Sequence, residues 1–237
     1  SDLAVLNFDD DVISGFQKNF KSRIQYFSSL KKTDIYLEKN KIRFHERNFS
    51  IKNFSLKGPH NISNTMASIL AVSPFNISEK DIRYALKTFS PLPHRLEFVA
   101  EINSIKFYND SKATNTDSVK YALQSFDKPV RVILGGSDKG ENFSTLNPFL
   151  NRYAKKVYLI GETQEKMFAA FGNVVKTSKF ENFEKCLKTA FSESENNDII
   201  LLSPACASFD MFKNFEERGN VFKKIVKQLV WEMRNEN

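Results

Sequence analysis

The second half of this 237-residue sequence predicts a Rossmann-like α/β fold, an open and mostly parallel sheet flanked by helices. Two observations carry that prediction. Beyond Pro91-Leu92-Pro93 short apolar runs alternate with segments of helical periodicity, and such alternation requires parallel pairing with right-handed crossovers. The loops that end these runs are built from Gly, Ser, Asp and Lys, the composition of a ligand rim at the carboxyl ends of strands.

The elements follow in order. Leu3–Phe8 reads as a strand, and an acidic triplet, Asp9 to Asp11, opens a helix through Phe20. The stretch from Arg23 to Leu56 alternates in short runs, at 23–27, 34–38 and 42–46, with Asn40 as a hairpin turn. Ile62, Met66, Ile69 and Leu70 recur at helical spacing, and Ser78-Glu79-Lys80-Asp81 starts a second helix through Phe89 in the manner of a capping box. Pro91 and Pro93 push the residues before them out of the helical region, so a domain boundary is expected there, between 1–92 and 93–237. Strands are then expected at 97–102, 105–109, 130–134, 157–160, 174–175 and 199–202. Helices are expected at 116–126, 146–153, 162–171 and 182–191, with helical segments from Asp210 to Trp231. Phe209, Phe212 and Phe215 are assigned to a core stripe at the start of that last stretch.

Composition narrows the function. The chain is 41% hydrophobic and carries 23 Phe, enough for a real core. No apolar run approaches the roughly 18 to 20 residues of a bilayer span, and the first residues lack a basic segment followed by an apolar one, so a cytoplasmic protein with no membrane contact is expected. The missing initiator Met and the abrupt first strand suggest a piece of a longer protein. Cys186 and Cys206 stand in no metal spacing, Cys206 has no neighbouring His base, and His45 and His60 have no metal partner in spacing. The net charge of +7 is spread over helices that also carry Glu, and no RNP1 pattern, GXXG loop or zinc-finger spacing is present, which argues against nucleic acid.

Four loops collect the chemistry: 110–115, 135–140, 161–163 and 203–208. Three of them combine small residues with a hydroxyl, a Lys or an Asp, as an anion site requires when backbone amides must come close. Taken singly, Gly-Gly and Ser-Pro only make turns; three such loops at successive strand ends favour a site.

At these positions the sequence resembles the Mur ligases, and among them the D-glutamate-adding members. The resemblance rests on Gly58-Pro-His-Asn-Ile-Ser-Asn64, Leu92-Pro-His-Arg-Leu-Glu97 and Phe107-Tyr-Asn-Asp-Ser-Lys-Ala-Thr-Asn115. It continues in Ile133-Leu-Gly-Gly-Ser-Asp-Lys-Gly140, Leu201-Leu-Ser-Pro-Ala-Cys-Ala-Ser-Phe-Asp210 and Phe212-Lys-Asn-Phe-Glu-Glu-Arg-Gly219. It runs from Leu6 to about Lys224. It implies that 1–92 is the end of the central ATP-binding domain, a truncated α/β ATPase-domain remnant, and that 93–237 is the C-terminal, D-glutamate-binding domain. The implied reaction joins D-glutamate to UDP-N-acetylmuramoyl-L-alanine through an acyl phosphate made from ATP, in peptidoglycan precursor synthesis, by a monomer.

Carried over by position, the resemblance gives Asn61, Asn64, His94, Arg95, Asp110 and Lys112 to the nucleotide, with Lys112 nearest the phosphates and the one catalytic assignment. It gives Thr114, Lys139, Ser208, Phe209 and Phe215 to D-glutamate, Phe209 through its backbone. A Lys with hydroxyl and amide donors suits an amino acid that brings two carboxylates. Ser137 and Asp138 compete for one polar role in their loop. No Gly-rich Lys-Ser/Thr phosphate loop occurs in the sequence, so that loop and the magnesium ligands are expected upstream, no metal site is expected in this chain, and the chain alone is expected to be inactive. Closure around Pro91-Leu92-Pro93 would assemble the parts. The alternatives are another amide ligase of the superfamily, such as one resembling folylpolyglutamate synthase, and a non-catalytic nucleotide- or anion-binding α/β module.

Overall fold

In the computed structural model the chain divides into two units, Ser1–Ser90 with one hydrophobic core and Pro91–Asn237 with two, one on each face of its sheet. The structure describes residues 2–15, 21–55, 58–90 and 92–235. The predicted extension of the first helix to Phe20, the end of the alternating stretch at Leu56, and Pro91 lie outside them.

In the first unit, strands β1 (Leu3–Asn7), β2 (Arg23–Ser28) and β3 (Ile35–Glu38) pair in parallel. β4 (Lys41–Phe44) and β5 (Arg47–Ser50) continue the sheet antiparallel, in the order β1-β2-β3-β4-β5. Lys39 and Asn40 turn the β3–β4 hairpin, with Lys39 at φ 55. The sequence reading had one run over 42–46 where the structure has two strands, because His45 adopts φ 49 and folds the chain back. Helix α1 (Asp11–Gly15) follows β1. Helices α2 (Pro59–Val72) and α3 (Glu79–Thr88) bring Met66, Ile69, Leu70 and Ile82 to a core with Ile35, Ile42, Phe44 and Phe49. Pro59 at the first turn of α2 and the Ser78 cap on the Asp81 amide set where these helices begin.

The second unit has a six-stranded sheet. Its strands are β6 (Glu97–Ile102), β7 (Ile105–Asn109), β8 (Val130–Leu134), β9 (Ala154–Ile160), β10 (Thr177–Phe180) and β11 (Ile199–Leu202), ordered β10-β9-β8-β11-β7-β6. Only the β6–β7 hairpin is antiparallel. Every residue of β8 and β11 is buried, as central strands covered on both faces must be. Val132, Leu134, Leu159 and Leu201 face α4 (Thr116–Leu123), α5 (Asn147–Tyr153) and α6 (Gln164–Phe171). Ile133, Tyr158, Ile160 and Leu202 face α7 (Phe183–Ser192) and α8 (Phe215–Asn235). The result is helices on both faces of a mostly parallel sheet, as the alternation predicts.

Two expectations need correction. The strand placed at Val174-Val175 lies at Thr177–Phe180. Val174 and Val175 close the turn after α6, each amide bonding to the Phe171 carbonyl, and pairing with β9 starts only at Thr177. The helix expected from Asp210 starts at Phe215. Asn214 accepts the Glu217 amide and so acts as its cap, residues 208–214 form turns, and Phe209 is exposed rather than on a core stripe.

Candidate functional site

In the second unit the loops that follow β7, β8, β9 and β11 meet at one end of the sheet. The Gly135 amide bonds to the Pro204 carbonyl at 2.8 Å, Ser137 to Ala207 at 3.0 Å, Thr163 to Gly136 at 3.1 Å and Asp110 to Leu202 at 2.7 Å. The approach is close enough to require glycine: a Cβ on Gly136 (φ +146) would stand 3.0 Å from the Cys206 Cβ and 3.1 Å from Arg218 Nη1. β11 sits between β7 and β8, so the chain reverses its winding at this point, where sheets of this type collect ligands.

Asp110 follows β7 directly and is almost fully buried. It accepts from Ser203 Oγ at 2.8 Å and from the Leu96 amide at 3.2 Å. Burial pushes its carboxyl up to about 7, against the pull of Ser203, the Leu96 amide and Arg95. Arg95 is exposed, and Lys112 is half-buried with its Nζ 5.2 Å from the centre of the Phe215 ring. Thr114 is half-buried in the same loop.

His94 is 6% exposed, with φ 65, and its ring lies against Gly219 on α8 and edge-on to Phe215. Asn109 Oδ1 accepts from the Ser111 amide and its Nδ2 reaches Glu97 Oε2 at 3.0 Å, which fixes the amide. Nδ2 also lies 2.9 Å from His94 Nδ1. An amide nitrogen only donates, so Nδ1 accepts and the ring proton sits on Nε2. Burial, then the nearby Lys223 ammonium, holds the imidazole below its ordinary range.

Lys139 and Phe209 are exposed, and Ser208 is buried with its carbonyl accepting the Met211 and Phe212 amides. Ser137 Oγ accepts the Asp210 amide at 2.8 Å, whereas Asp138 pairs with Lys166 at 2.8 Å and is exposed. Ser137 therefore ties its loop to the 203–210 segment, and Asp138 is taken up by a cation outside it. Cys206 is buried against Thr163, and burial pushes its thiol up to about 11, where it is a poor nucleophile.

The structure thus brings Arg95, Asp110, Lys112, Thr114, Ser208 and Phe215 onto loops and a helix start that touch one another, with His94 beneath them. Asn61 and Asn64 lie in the first unit on α2, half-buried and exposed respectively. A cavity of about 550 Å3 in that unit, walled by Arg23, Gln25, Phe44 and Ile82 among others, contains no predicted site residue. Among the described residues no group of three His, Cys, Asp or Glu could hold a metal, and no helix is long and apolar enough to cross a membrane.

The sequence reading assigned no role to Asn109, Glu97, Gly219, Asp210 or Arg218. All five lie within motifs quoted for the resemblance, but their partners lie up to 126 positions away in the chain, as in the Lys223–Glu97 pair.

Comparison with known proteins identifies relatives by sequence and by fold. Residues 94–206 match the family model described as Mur ligase, glutamate ligase domain. The chain is 38% identical over 240 residues to the UDP-N-acetylmuramoylalanine–D-glutamate ligase of Caldicellulosiruptor bescii, covering 95% of this chain and 52% of that protein. It is 40% identical over 238 residues to the ligase of the same name from Natranaerobius thermophilus, covering 96% and 51%. The chain spans about half the length of the curated relatives it matches. Among solved structures, a pseudomurein peptide ligase type C from Methanothermus fervidus superimposes with a TM-score of 0.72 at 15% identity, over 95% of this chain and 56% of that one. The MurF ligase from Thermotoga maritima in complex with ADP gives 0.70 at 14% identity, over 95% and 54%. At such identities these two speak for the fold alone. With its loops converging as described and its sequence matching along nearly its whole length, the chain belongs to the Mur ligase family.

Proposed function

We propose that this chain is the D-glutamate-accepting part of an ATP-dependent ligase that joins D-glutamate to UDP-N-acetylmuramoyl-L-alanine in cytoplasmic peptidoglycan precursor synthesis. Residues 1–92 are then the end of the central, ATP-binding domain and 93–237 the D-glutamate domain. The protein works as a monomer on small-molecule substrates, with no nucleic acid or membrane partner. The observation that carries the reading is the convergence of three donor-rich loops, bearing Lys112 and Thr114, Lys139, and Ser208, in a chain about 40% identical to D-glutamate ligases.

An amino acid with two carboxylates needs cations and hydrogen-bond donors at separated points. In this reading Lys139 and the Thr114 and Ser208 hydroxyls, with the Phe209 backbone, bind and orient D-glutamate, and Phe215 shapes the cavity. Exposed Lys139, with its ammonium unpartnered among the described residues, is free to meet a carboxylate. The buried Asp110, already an acceptor for two donors, suits the hydroxyls of a ribose, and Arg95 and Lys112 suit phosphates. Asn61, Asn64 and His94 are assigned to the adenine of the nucleotide. Bound ATP would supply activation of the acceptor carboxylate as an acyl phosphate; magnesium would be held by residues outside this sequence. The chain's own groups bind, orient and screen the reacting amine from water.

The test is an NMR titration of the labelled chain with D- and L-glutamate. D-glutamate is expected to shift the amides near Thr114, Lys139 and Ser208 with a dissociation constant of about 1 mM or weaker, because solvated ion pairs contribute little each. No D-selective shift at those amides overturns the reading.

A further inference from the structure

Arg218, in the second turn of α8, is fully buried, and among the described residues no carboxylate pairs with it. Its guanidinium is spent on the loops instead. Nε donates to Ser111 Oγ at 3.0 Å and Nη2 to the Ser111 carbonyl at 2.8 Å. Nη2 also reaches the Cys206 carbonyl at 3.0 Å, and Nη1 the Ala207 carbonyl at 3.2 Å. Ser111 Oγ in turn donates to the Phe215 carbonyl at 2.8 Å, closing the loop back onto the helix that carries the arginine. The third loop touches the same group, since Gly136 lies where a Cβ would sit 3.1 Å from Nη1.

Burying a cation with no paired carboxylate is expensive, and an apolar side chain of similar volume would fill the space at lower cost. What an apolar residue cannot do is hold several backbone carbonyls from two distant segments in one plane. A guanidinium can, because its five donors are fixed in a rigid fork. Ser111 is flanked by Asp110 and Lys112, and Ala207 precedes Ser208. A shift of either segment would therefore move a group assigned to the nucleotide against one assigned to D-glutamate.

We propose that Arg218 is the positioning residue that holds the 110–115 loop and the 203–208 loop in register, so that the nucleotide-side and glutamate-side groups meet. The link to substrates rests on the function proposed above; the link to loop geometry does not. Arg218 touches no substrate in this account and acts through Ser111, Cys206 and Ala207.

The test is residue-resolved amide exchange on the whole chain for wild type, Arg218→Met and Arg218→Lys, each followed by the D-glutamate titration. In Arg218→Met the amides of Ser111, Gly135, Ser137 and Met211 are expected to exchange at least about tenfold faster, which is a loss of about 1.4 kcal/mol of local protection, while the strand amides of β7, β8 and β11 keep their rates. Arg218→Lys retains the charge but not the fork, and is expected to loosen the same amides. The weak D-glutamate affinity is expected to fall about tenfold or more in both variants. Unchanged loop rates in Arg218→Met, full rescue by lysine, or equal loss of protection in strands and loops each overturn the proposal. If Arg218→Met does not fold, Arg218→Lys decides; if neither folds, the role is structural and the proposal is wrong. A wild-type chain that ignores D-glutamate would count against the proposed function, and the exchange rates would still decide the role of Arg218.

Discussion

Replacing Gly219 by Ala sets two opposed effects against each other. Gly219 lies inside α8, where alanine gains about 1 kcal/mol of helix propensity over glycine. The same methyl would be built well inside the van der Waals distance of His94 Nδ1, 2.8 Å from Cε1 and 3.1 Å from Asn109 Nδ2. His94 has nowhere to retreat, being 6% exposed, edge-on to Phe215 and hydrogen-bonded to Asn109. Overpacking of this kind costs about 1 to 3 kcal/mol, and displacing the ring forfeits a hydrogen bond of about 1 kcal/mol. The clash therefore wins, for a net loss of about 1 to 3 kcal/mol, or a melting temperature lower by about 2 to 12 °C for a unit of this size. Scanning calorimetry of Gly219→Ala in the wild-type and His94→Ala backgrounds isolates the effect. Without the imidazole the alanine is expected to stabilise by about 1 kcal/mol, so the two backgrounds differ in sign. Stabilisation by Gly219→Ala in the wild-type background, or the same effect in both, refutes the packing argument.

Three further outcomes follow from the same site. The Asp110 carboxyl, pushed up to about 7 from 3.8 by burial, binds its proton more tightly in the native chain than in the unfolded one. Stability from this group is thus fullest below about pH 4 and falls as pH rises toward 7, by on the order of 4 kcal/mol in all; Asp110→Asn should flatten urea-unfolding stability across that window, and an unchanged profile would show the carboxyl is not so perturbed. In the complete ligase, Lys139→Ala is expected to raise the Michaelis constant for D-glutamate about 10- to 150-fold, as loss of a charge-assisted contact implies, and that for ATP much less; equal effects on both would move Lys139 to the nucleotide or to a structural role. The 237-residue chain incubated with ATP, magnesium and D-glutamate is expected to release no phosphate, and D-glutamate-dependent release from chain of verified mass would contradict the absence of a phosphate-gripping loop from this sequence.

The architecture of the second unit was legible because its strands are contiguous apolar runs. Val130–Leu134 and Ile199–Leu202 have no polar residue facing a helix layer except Arg131 at the strand's start, so period and composition agree. β10 was misplaced because its Thr-Ser-Lys-Phe sequence at the sheet edge carries little apolar signal, whereas Val174 and Val175 do and are used in a turn that packs on the core. The start of α8 was placed too early because the spacing of Phe209, Phe212 and Phe215 resembles a core stripe, whereas in the structure Asn214 accepts the Glu217 amide and the helix begins after it. Of the site, the loop residues could be found because small and charged residues clustered after strands. Arg218 and Gly219 could not, since a buried arginine in a helix that also carries Lys223 and Lys224 looks like any other surface cation until the fold brings Ser111, 107 positions earlier, against it.

The strand order carries a consequence for synthesis. β11 is the last strand of its sheet in the chain, yet it lies between β7 and β8. As the polypeptide emerges, β7 and β8 are complete long before the strand that joins them, and each must wait with an unpaired edge while β9, β10 and α7 are made. Both carry buried apolar residues, Ile105 and Phe107 in β7 and Val130, Val132, Ile133 and Leu134 in β8, the kind of strand that pairs with a wrong neighbour when left open. The segment 203–208 and α8 come later still. Ordering of the ligand rim thus waits until residues 203–219 have been made, and a nascent chain that stalls before residue 199 presents two open strand edges and no finished site. Closing the gap requires one distant insertion rather than stepwise growth, so the central strand sets the pace of folding for the whole unit.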